Sequence, residues 1–250
     1  TTYRVAVDAA IEDTFGQTLG ADQQLTFVVG SAEPALFGPE QPLVTLDPAS
    51  QKPTMSVFAI NYDRLKVRAY RVQPSDWPAF KSYLQESSRQ ENPPEPPGER
   101  VMDQTIRLEA APDTLTEASI DLSPALDGDT GQLIVLVEPE DVKDEDRYWR
   151  TVRVWVQVTQ IGLDAFADHS EMVVWTTALQ DGAPLSGVTI EAGDTGRESV
   201  TDESGVARSN YPGANIAYLV ARQGADKALL TPSNSYWSED GWSAREMTDQ

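Results

Sequence analysis

The chain has 250 residues, enough for one large core or for two to three sandwiches of about 100 residues each. Forty acidic against 19 basic residues leave a net charge of −21, which argues against nucleic acid or anionic lipid as partners. No cysteine is present, so disulfides, thiolate metal sites, cysteine nucleophiles and cysteine-derived thioesters are excluded within these residues.

No apolar run approaches the roughly 18 residues of a membrane span, and the opening TTYRVAVDAA lacks the charged start and apolar block of a signal peptide. Tyr3 to Asp8 alternates as a strand, Glu12 to Gly20 is turn-rich, and Leu25 to Val29 predicts a second strand. Two strands do not make a stable domain. They read as the last hairpin of a sandwich whose earlier strands lie upstream, or as a hairpin added to the next domain. Pro34, Pro39, Pro42 and Pro48 then predict a linker with one edge strand, since proline offers no backbone donor.

From Met55 to Val72 two strands flank Asn61-Tyr62-Asp63, a sequence that suits a hairpin turn closed by its own side chains. In SDWPAFKSYLQESS, Ser75 is placed to cap, Pro78 sits in the first turn, and Trp77, Phe80, Tyr83 and Leu84 share one helical face. Arg89 to Arg100, RQENPPEPPGER, predicts an exposed, mobile loop. Its arginines suggest a secondary site of proteolytic nicking, against the simpler reading of a connection between helix and strand. Strands follow at Ile106–Leu108, Ala118–Leu122 and Gln132–Val137, with a turn over Asp127 to Gly131.

A charged connection, EPEDVKDEDRYW, leads into Trp149–Phe166. Here Val152, Val154, Val156 and Val158 alternate with Arg153, Trp155 and Gln157, so a valine-only face must close the earlier core or open a later one. A third unit runs from about Thr159 to Leu230, with strands at Glu171–Thr177, Val188–Glu191, Ser199–Thr201 and Ile216–Arg222. Asp181-Gly182 and Asp202-Glu203-Ser204-Gly205 mark turns at sandwich spacing. The polar stretch SNSYWSEDGWSAREMTDQ has no core of its own, and both ends of the chain read as cut edges of a longer polypeptide.

The run VQVTQIGLDAF followed by MVVWTTALQDGAPLSGVTI resembles the joint between two macroglobulin-type sandwiches of bacterial alpha-2-macroglobulins. Pro184 and Gly187 resemble that family's G-x-P-L-x-G-V motif, Thr201 and Gly205 its T-x-x-x-G-V-A motif. Ile11, Asp13 and Gly16 resemble its preceding domain. The resemblance implies an all-β chain of tandem macroglobulin/immunoglobulin-like antiparallel β-sandwiches with one short helix. Residues 1–37 would be the C-terminal hairpin of an immunoglobulin-like or macroglobulin domain, and 38–158 a macroglobulin-type sandwich with the helix and proline-rich loop. Residues 159–232 would be a second such sandwich, and 233–250 the lead into a following domain.

By the same resemblance the chain is a non-catalytic scaffold segment of a protease trap, a broad-spectrum endopeptidase inhibitor. Its parent would be extracytoplasmic, periplasmic and anchored to the membrane through a lipid. Partners would be proteases, met through the full-length protein, and neighbouring domains, with no direct membrane insertion by these residues. The thioester motif C-x-E-Q of many members is absent from the chain. The alternatives are a surface adhesin or receptor-like array of immunoglobulin-type modules, and a carbohydrate-active enzyme or its accessory module.

No catalytic, cofactor-binding or metal residue is assigned. Glu138, Glu140, Asp141, Asp144, Glu145 and Asp146 could cluster oxygens for calcium but lack the ligand spacing of a calcium loop, and a solvated linker explains them. Asp127 and Asp129 around Gly128 suit a turn equally well. Paired carboxylates for sugar hydrolysis arise by chance among 40 acidic residues. His169, the only histidine, and Ser170 sit in a polar loop without a nucleophile elbow. Trp155 is expected to pack on a neighbouring domain and Trp175 to lie in a core. Tyr236, Trp237 and Trp242 are expected to pack against a following domain.

Overall fold

The computed structural model describes residues 1–49, 52–87, 94–142, 149–167, 171–210, 216–232 and 242. Among these, seventeen strands form five sheets around one short helix, so the chain is all-β. The first two strands, β1 (Thr2–Val7) and β2 (Gln23–Val28), pair antiparallel. Tyr3 lies opposite Phe27 and Val5 opposite Leu25, so these four share one face, and all four are exposed. At the hairpin tip the Asp13 carboxylate accepts the N–H groups of Phe15 and Gln17, and Gly16 takes a left-handed φ of 80°.

The middle unit is a sandwich of eight strands. β3 (Ala35–Phe37), β5 (Thr54–Ile60) and β8 (Thr116–Asp121) make one sheet in the order β3-β5-β8. β4 (Leu43–Leu46), β6 (Arg64–Val72), β7 (Glu99–Arg107), β9 (Gly131–Pro139) and β10 (Val152–Val158) make the other, in the order β4-β10-β9-β6-β7. Alternate residues from both sheets, among them Met55, Val57, Leu65, Val67, Ile120, Leu133 and Val135, fill the space between. Val154, Val156 and Val158 belong to this core, so the valine face closes the earlier unit.

Three expectations change. The linker contains two strands, β3 and β4, one in each sheet, and β4 pairs parallel with β10, the single departure from antiparallel pairing among the described strands. The strands around Asn61 are not a hairpin: β5 pairs with β3 and β8, while β6 pairs with β7 and β9. Alternation demands only that Met55, Val57 and Ala59 face a core, which is met as well by a strand on the opposite sheet. Asn61 (φ 54°) uses its side chain elsewhere, donating from Nδ2 to the Ala32 carbonyl (2.7 Å) and to Asp113 (3.0 Å) and accepting from the Asp113 N–H (2.8 Å). Finally, Arg100 lies in β7 rather than in a loop, and Arg89 falls outside the described residues.

The predicted helix is α1 (Trp77–Ser87), entered through a 3-10 turn at Pro74–Asp76. Trp77, Phe80 and Tyr83 are buried and Leu84 packs beside them, as their spacing predicts. Ser75 does not cap it; the 3-10 turn before it closes a capping box instead, Asp76 Oδ2 accepting the Gln73 N–H at 2.8 Å.

The C-terminal unit faces a sheet of β11 (Ile161–Ala167), β12 (Met172–Ala178) and β15 (Val206–Ser209) against one of β13 (Thr189–Ala192), β14 (Glu198–Val200), β16 (Leu219–Gln223) and β17 (Asp226–Leu230). Strand orders are β11-β12-β15 and β14-β13-β16-β17. The core holds Ile161, Met172, Val174, Val188, Ile190 and Leu219.

Trp242, only 1% exposed, completes this core and so packs within the unit, not against a following domain; Tyr236 and Trp237 lie outside the described residues. Trp175 is also corrected: Met172, Val174 and Thr176 point inward, so Trp175 stands on the outer face, 37% exposed. A strand's period of two allows no other outcome once Val174 is buried.

Candidate functional site

The most elaborated site is the seam where the outer face of the five-stranded sheet meets α1 and the edge of the C-terminal unit. On β10 the non-valine face presents Trp155, which is fully buried against Tyr70, Val72, Trp77, Phe80, Ile134, Leu136, Tyr218, Val220 and Leu229. Three parts of the molecule therefore converge on one indole: the sheet, the helix and the next sandwich. Its ring meets Trp77 edge-on at 5.5 Å and Phe80 at 5.6 Å, the geometry favoured by aromatic quadrupoles. Trp155 thus packs on a neighbouring domain, as expected.

A buried indole N–H needs an acceptor. Nε1 donates to Gln132 Oε1 at 2.7 Å, and Gln132 passes the bond on, donating from Nε2 to the Lys227 carbonyl at 2.8 Å. Gln157 lies directly opposite Gln132 in the β9/β10 pair. Its Oε1 accepts the Leu229 N–H (2.7 Å), and its Nε2 donates to the Leu229 carbonyl (3.1 Å) and to Thr45 Oγ1 (2.8 Å).

Among the described strands β17 ends its sheet, so alternate backbone groups along it have no strand partner there. Lys227 and Leu229, two residues apart, are two such positions, and the paired glutamines bond both. The amides thus stand in for a missing neighbour strand. Around them Lys227 Nζ donates to Gln73 Oε1 (2.8 Å), and Asp226 Oδ2 accepts the Gln160 N–H (2.9 Å).

At the other end of the same sheet face, Arg68 pairs with Glu138 at 2.9 Å, and Glu95 reaches Arg68 at 3.7 Å. Tyr70 donates its hydroxyl to Glu95. Burial and this bond to a carboxylate push the Tyr70 phenol up to about 12. Glu138 is therefore not part of a solvated linker: it is buried and paired. Glu140 pairs at the surface with Arg64 (3.1 Å), while Asp144, Glu145 and Asp146, like His169 and Ser170, lie outside the described residues. Asp127 and Asp129 flank Gly128, whose φ of 102° accounts for the turn. Among the described residues no three His, Cys, Asp or Glu side chains are grouped to hold a metal.

On one flank the seam opens into a groove of about 630 Å³ between β4 and the outer face of β11 and β12. Glu40, Leu43, Thr45, Asp164, Trp175 and Leu179 line it. A smaller cleft of about 310 Å³ on another flank holds Arg71 and Lys227. Trp155 was legible from its place opposite the valines. The roles of Gln132, Gln157, Tyr218 and Leu229 were not, although a glutamine beside a tryptophan on the non-core face of a strand is a usable sign of a buried polar contact.

Residues 158–239 match the family model described as the bacterial alpha-2-macroglobulin MG3 domain. Among solved structures, native alpha-2-macroglobulin from Escherichia coli spanning domains MG0-NIE-MG1 superposes with a TM-score of 0.57 at 19% identity, over 93% of this chain and 75% of that one. The E. coli NIE-MG1 piece gives 0.58 at 20% identity, over 80% of this chain and 97% of that one. The native conformation of the whole E. coli protein gives 0.54 at 19% identity over 92% of this chain, which spans 14% of that molecule. A comparison with curated protein sequences finds no match. Residues 158–239 are thus similar to a macroglobulin MG3 domain, and the chain shares its fold with the E. coli alpha-2-macroglobulin segments.

Proposed function

We propose that this chain, whose C-terminal unit carries a macroglobulin MG3-type domain, is a non-catalytic scaffold segment of a bacterial alpha-2-macroglobulin-like protease trap. The observation that carries the reading is the seam. Trp155 and the Gln132–Gln157 pair lock two sandwiches at a defined angle through buried aromatic contacts and backbone-directed amides. A shell that must hold bait and capture parts in place needs such rigid joints, and a flexible string of independent modules does not. The chain's partners would be proteases, reached through the full-length protein, and the neighbouring domains of the same polypeptide. The parent protein would be periplasmic and held to the membrane by a lipid, a placement that cell fractionation of the tagged parent tests directly.

In this reading the β1/β2 hairpin closes an immunoglobulin-like or macroglobulin domain; the middle unit, which takes in β3 (Ala35–Phe37) and so begins before residue 38, and the C-terminal unit, which takes in Trp242, are two macroglobulin-type sandwiches; and the rest of 233–250 leads onward. The bare apolar face of the β1/β2 hairpin supports the first assignment. So does the wider coverage obtained when MG0 is included, 93% against 80% of this chain.

The test uses the parent protein mixed with trypsin or subtilisin and a macromolecular substrate. The intact parent is expected to suppress cleavage of the large substrate, and Trp155→Ala in the parent to reduce that suppression. The 250-residue chain alone is expected neither to inhibit nor to hydrolyse. A parent that leaves protease activity untouched at molar excess removes the reading and favours an adhesin array.

A further inference from the structure

We propose that the groove beside the seam binds an extended, basic segment of a partner protein, which adds as a strand to the free edge of β4. Among the described strands β4 has one neighbour, β10. Trp155 and Thr159 donate to the carbonyls of Pro42 and Leu46, so the even-numbered residues of β4 direct their backbone groups toward β10. By the alternation of a strand, Leu43 and Thr45 direct theirs the other way, toward the open edge, and both residues line the groove. An unpaired edge of this kind is a template for strand addition, in which the main chain supplies affinity and alternate side chains supply choice.

The opposite wall sets the choice. It is the outer face of β11 and β12, where Asp164 and Trp175 are directly opposite each other and Gly162 pairs with Thr177. Gly162 keeps this wall low: a Cβ there would stand 2.8 Å from Thr177 Oγ1 and 3.2 Å from Leu179 Cδ2. Trp175 therefore offers an open indole ring beside a carboxylate. Glu40 adds a second carboxylate, and no Lys, Arg or His is among the lining residues.

The bias is local rather than an echo of net charge, because the cleft on another flank of the seam carries Arg71 and Lys227. A Lys or Arg side chain fits the acidic wall by charge and by cation–π contact with Trp175. The volume, about 630 Å³, lies within the range of ligand-sized sites. A sugar would use the indole and the carboxylates but leave the strand edge unpaired, so peptide is the favoured occupant.

The test titrates the isotope-labelled chain with a blocked hexapeptide alternating valine with arginine, followed by amide and indole NMR. Expected are saturable shifts at the Leu43 and Thr45 amides and the Trp175 indole, with at least tenfold weaker binding when glutamate replaces arginine. Thr45→Pro removes the groove-facing N–H while leaving the bonds to β10, since proline is tolerated on an edge strand. It is expected to weaken binding at least tenfold, whereas Thr45→Val, which loses only the hydroxyl bond to Gln157, is not. Trp175→Ala and Asp164→Lys are expected to weaken it similarly with the thermal midpoint unchanged, both residues being outside the cores. The proposal is overturned by absence of saturable shifts at millimolar peptide, or by binding that Thr45→Pro does not alter. It is equally overturned by peptide-independent, concentration-dependent shifts that reveal a second copy on β4, or by a neutral oligosaccharide binding as well as the peptide.

Discussion

Gly205 shows how one residue closes a turn and joins two sequence motifs. It takes a φ of 76°, and a Cβ there would lie 2.5 Å from the Thr176 carbonyl. Asp202 folds the turn by accepting the N–H groups of Ser204 and Val206. Thr201 accepts the Val188 N–H (3.0 Å) and donates to Leu185 O (2.7 Å), so the stretches around Pro184–Gly187 and Thr201–Gly205 are bonded together. Gly205→Ala meets both a left-handed φ and a backbone clash, and is expected to destabilise the C-terminal unit by about 1–3 kcal/mol in denaturant titration.

Tyr70 gives a pH prediction. Its phenol ordinarily titrates near 10.0 and is raised to about 12, so the folded state holds the proton more tightly. The stability it contributes is fully present below pH 10 and is lost as pH rises toward 12. Melting profiles across that window should flatten in Tyr70→Phe, and the slowest phenol in an ultraviolet titration should disappear.

Among elements, β10 carries both jobs of the seam, with valines in one core and Trp155 with Gln157 in the other contact. Trp155→Ala empties a fully enclosed site and is expected to cost about 3–5 kcal/mol, read as a lower unfolding midpoint. Gln157→Leu keeps the volume but strands the Leu229 N–H, and is expected to cost about 1–3 kcal/mol. A double-mutant cycle with Gln132→Leu should show non-additivity, because the two amides serve one strand edge. The existence of β10 and α1 was legible from their periods of two and 3.6, and Trp77, Phe80 and Tyr83 fell where that period put them. The partners of β5 and β6 were not, because alternating burial says which face is inward and not which sheet supplies the neighbour. Trp175 misled for a related reason: in MVVWTTA apolar residues occupy both faces, and only the core contacts of Val174 reveal the parity.

For the molecule as a whole, the seam couples two sandwiches while the β1/β2 hairpin stands apart. Removing residues 1–30 should leave the thermal midpoint within about 1 °C, since the hairpin adds nothing to either core. The corner bonds of Asn61 and Asp113 to Ala32 remain in that variant. The sandwiches should melt in one transition in the native chain and in two once Trp155→Ala loosens the joint, a difference that calorimetry resolves.

The sequence by itself determined the all-β class, the helix, the valine face, the turn glycines and the tryptophan that would meet another domain. All of these follow from local periodicity and from backbone angles that few residues adopt. Only the tertiary structure decided that β4 runs parallel to β10, that Glu138 is buried against Arg68, that Trp242 fills the second core, and that two glutamines complete the edge of β17. Those outcomes depend on which distant segments come to lie beside each other, and side chains with several possible partners carry no local mark of the one they take.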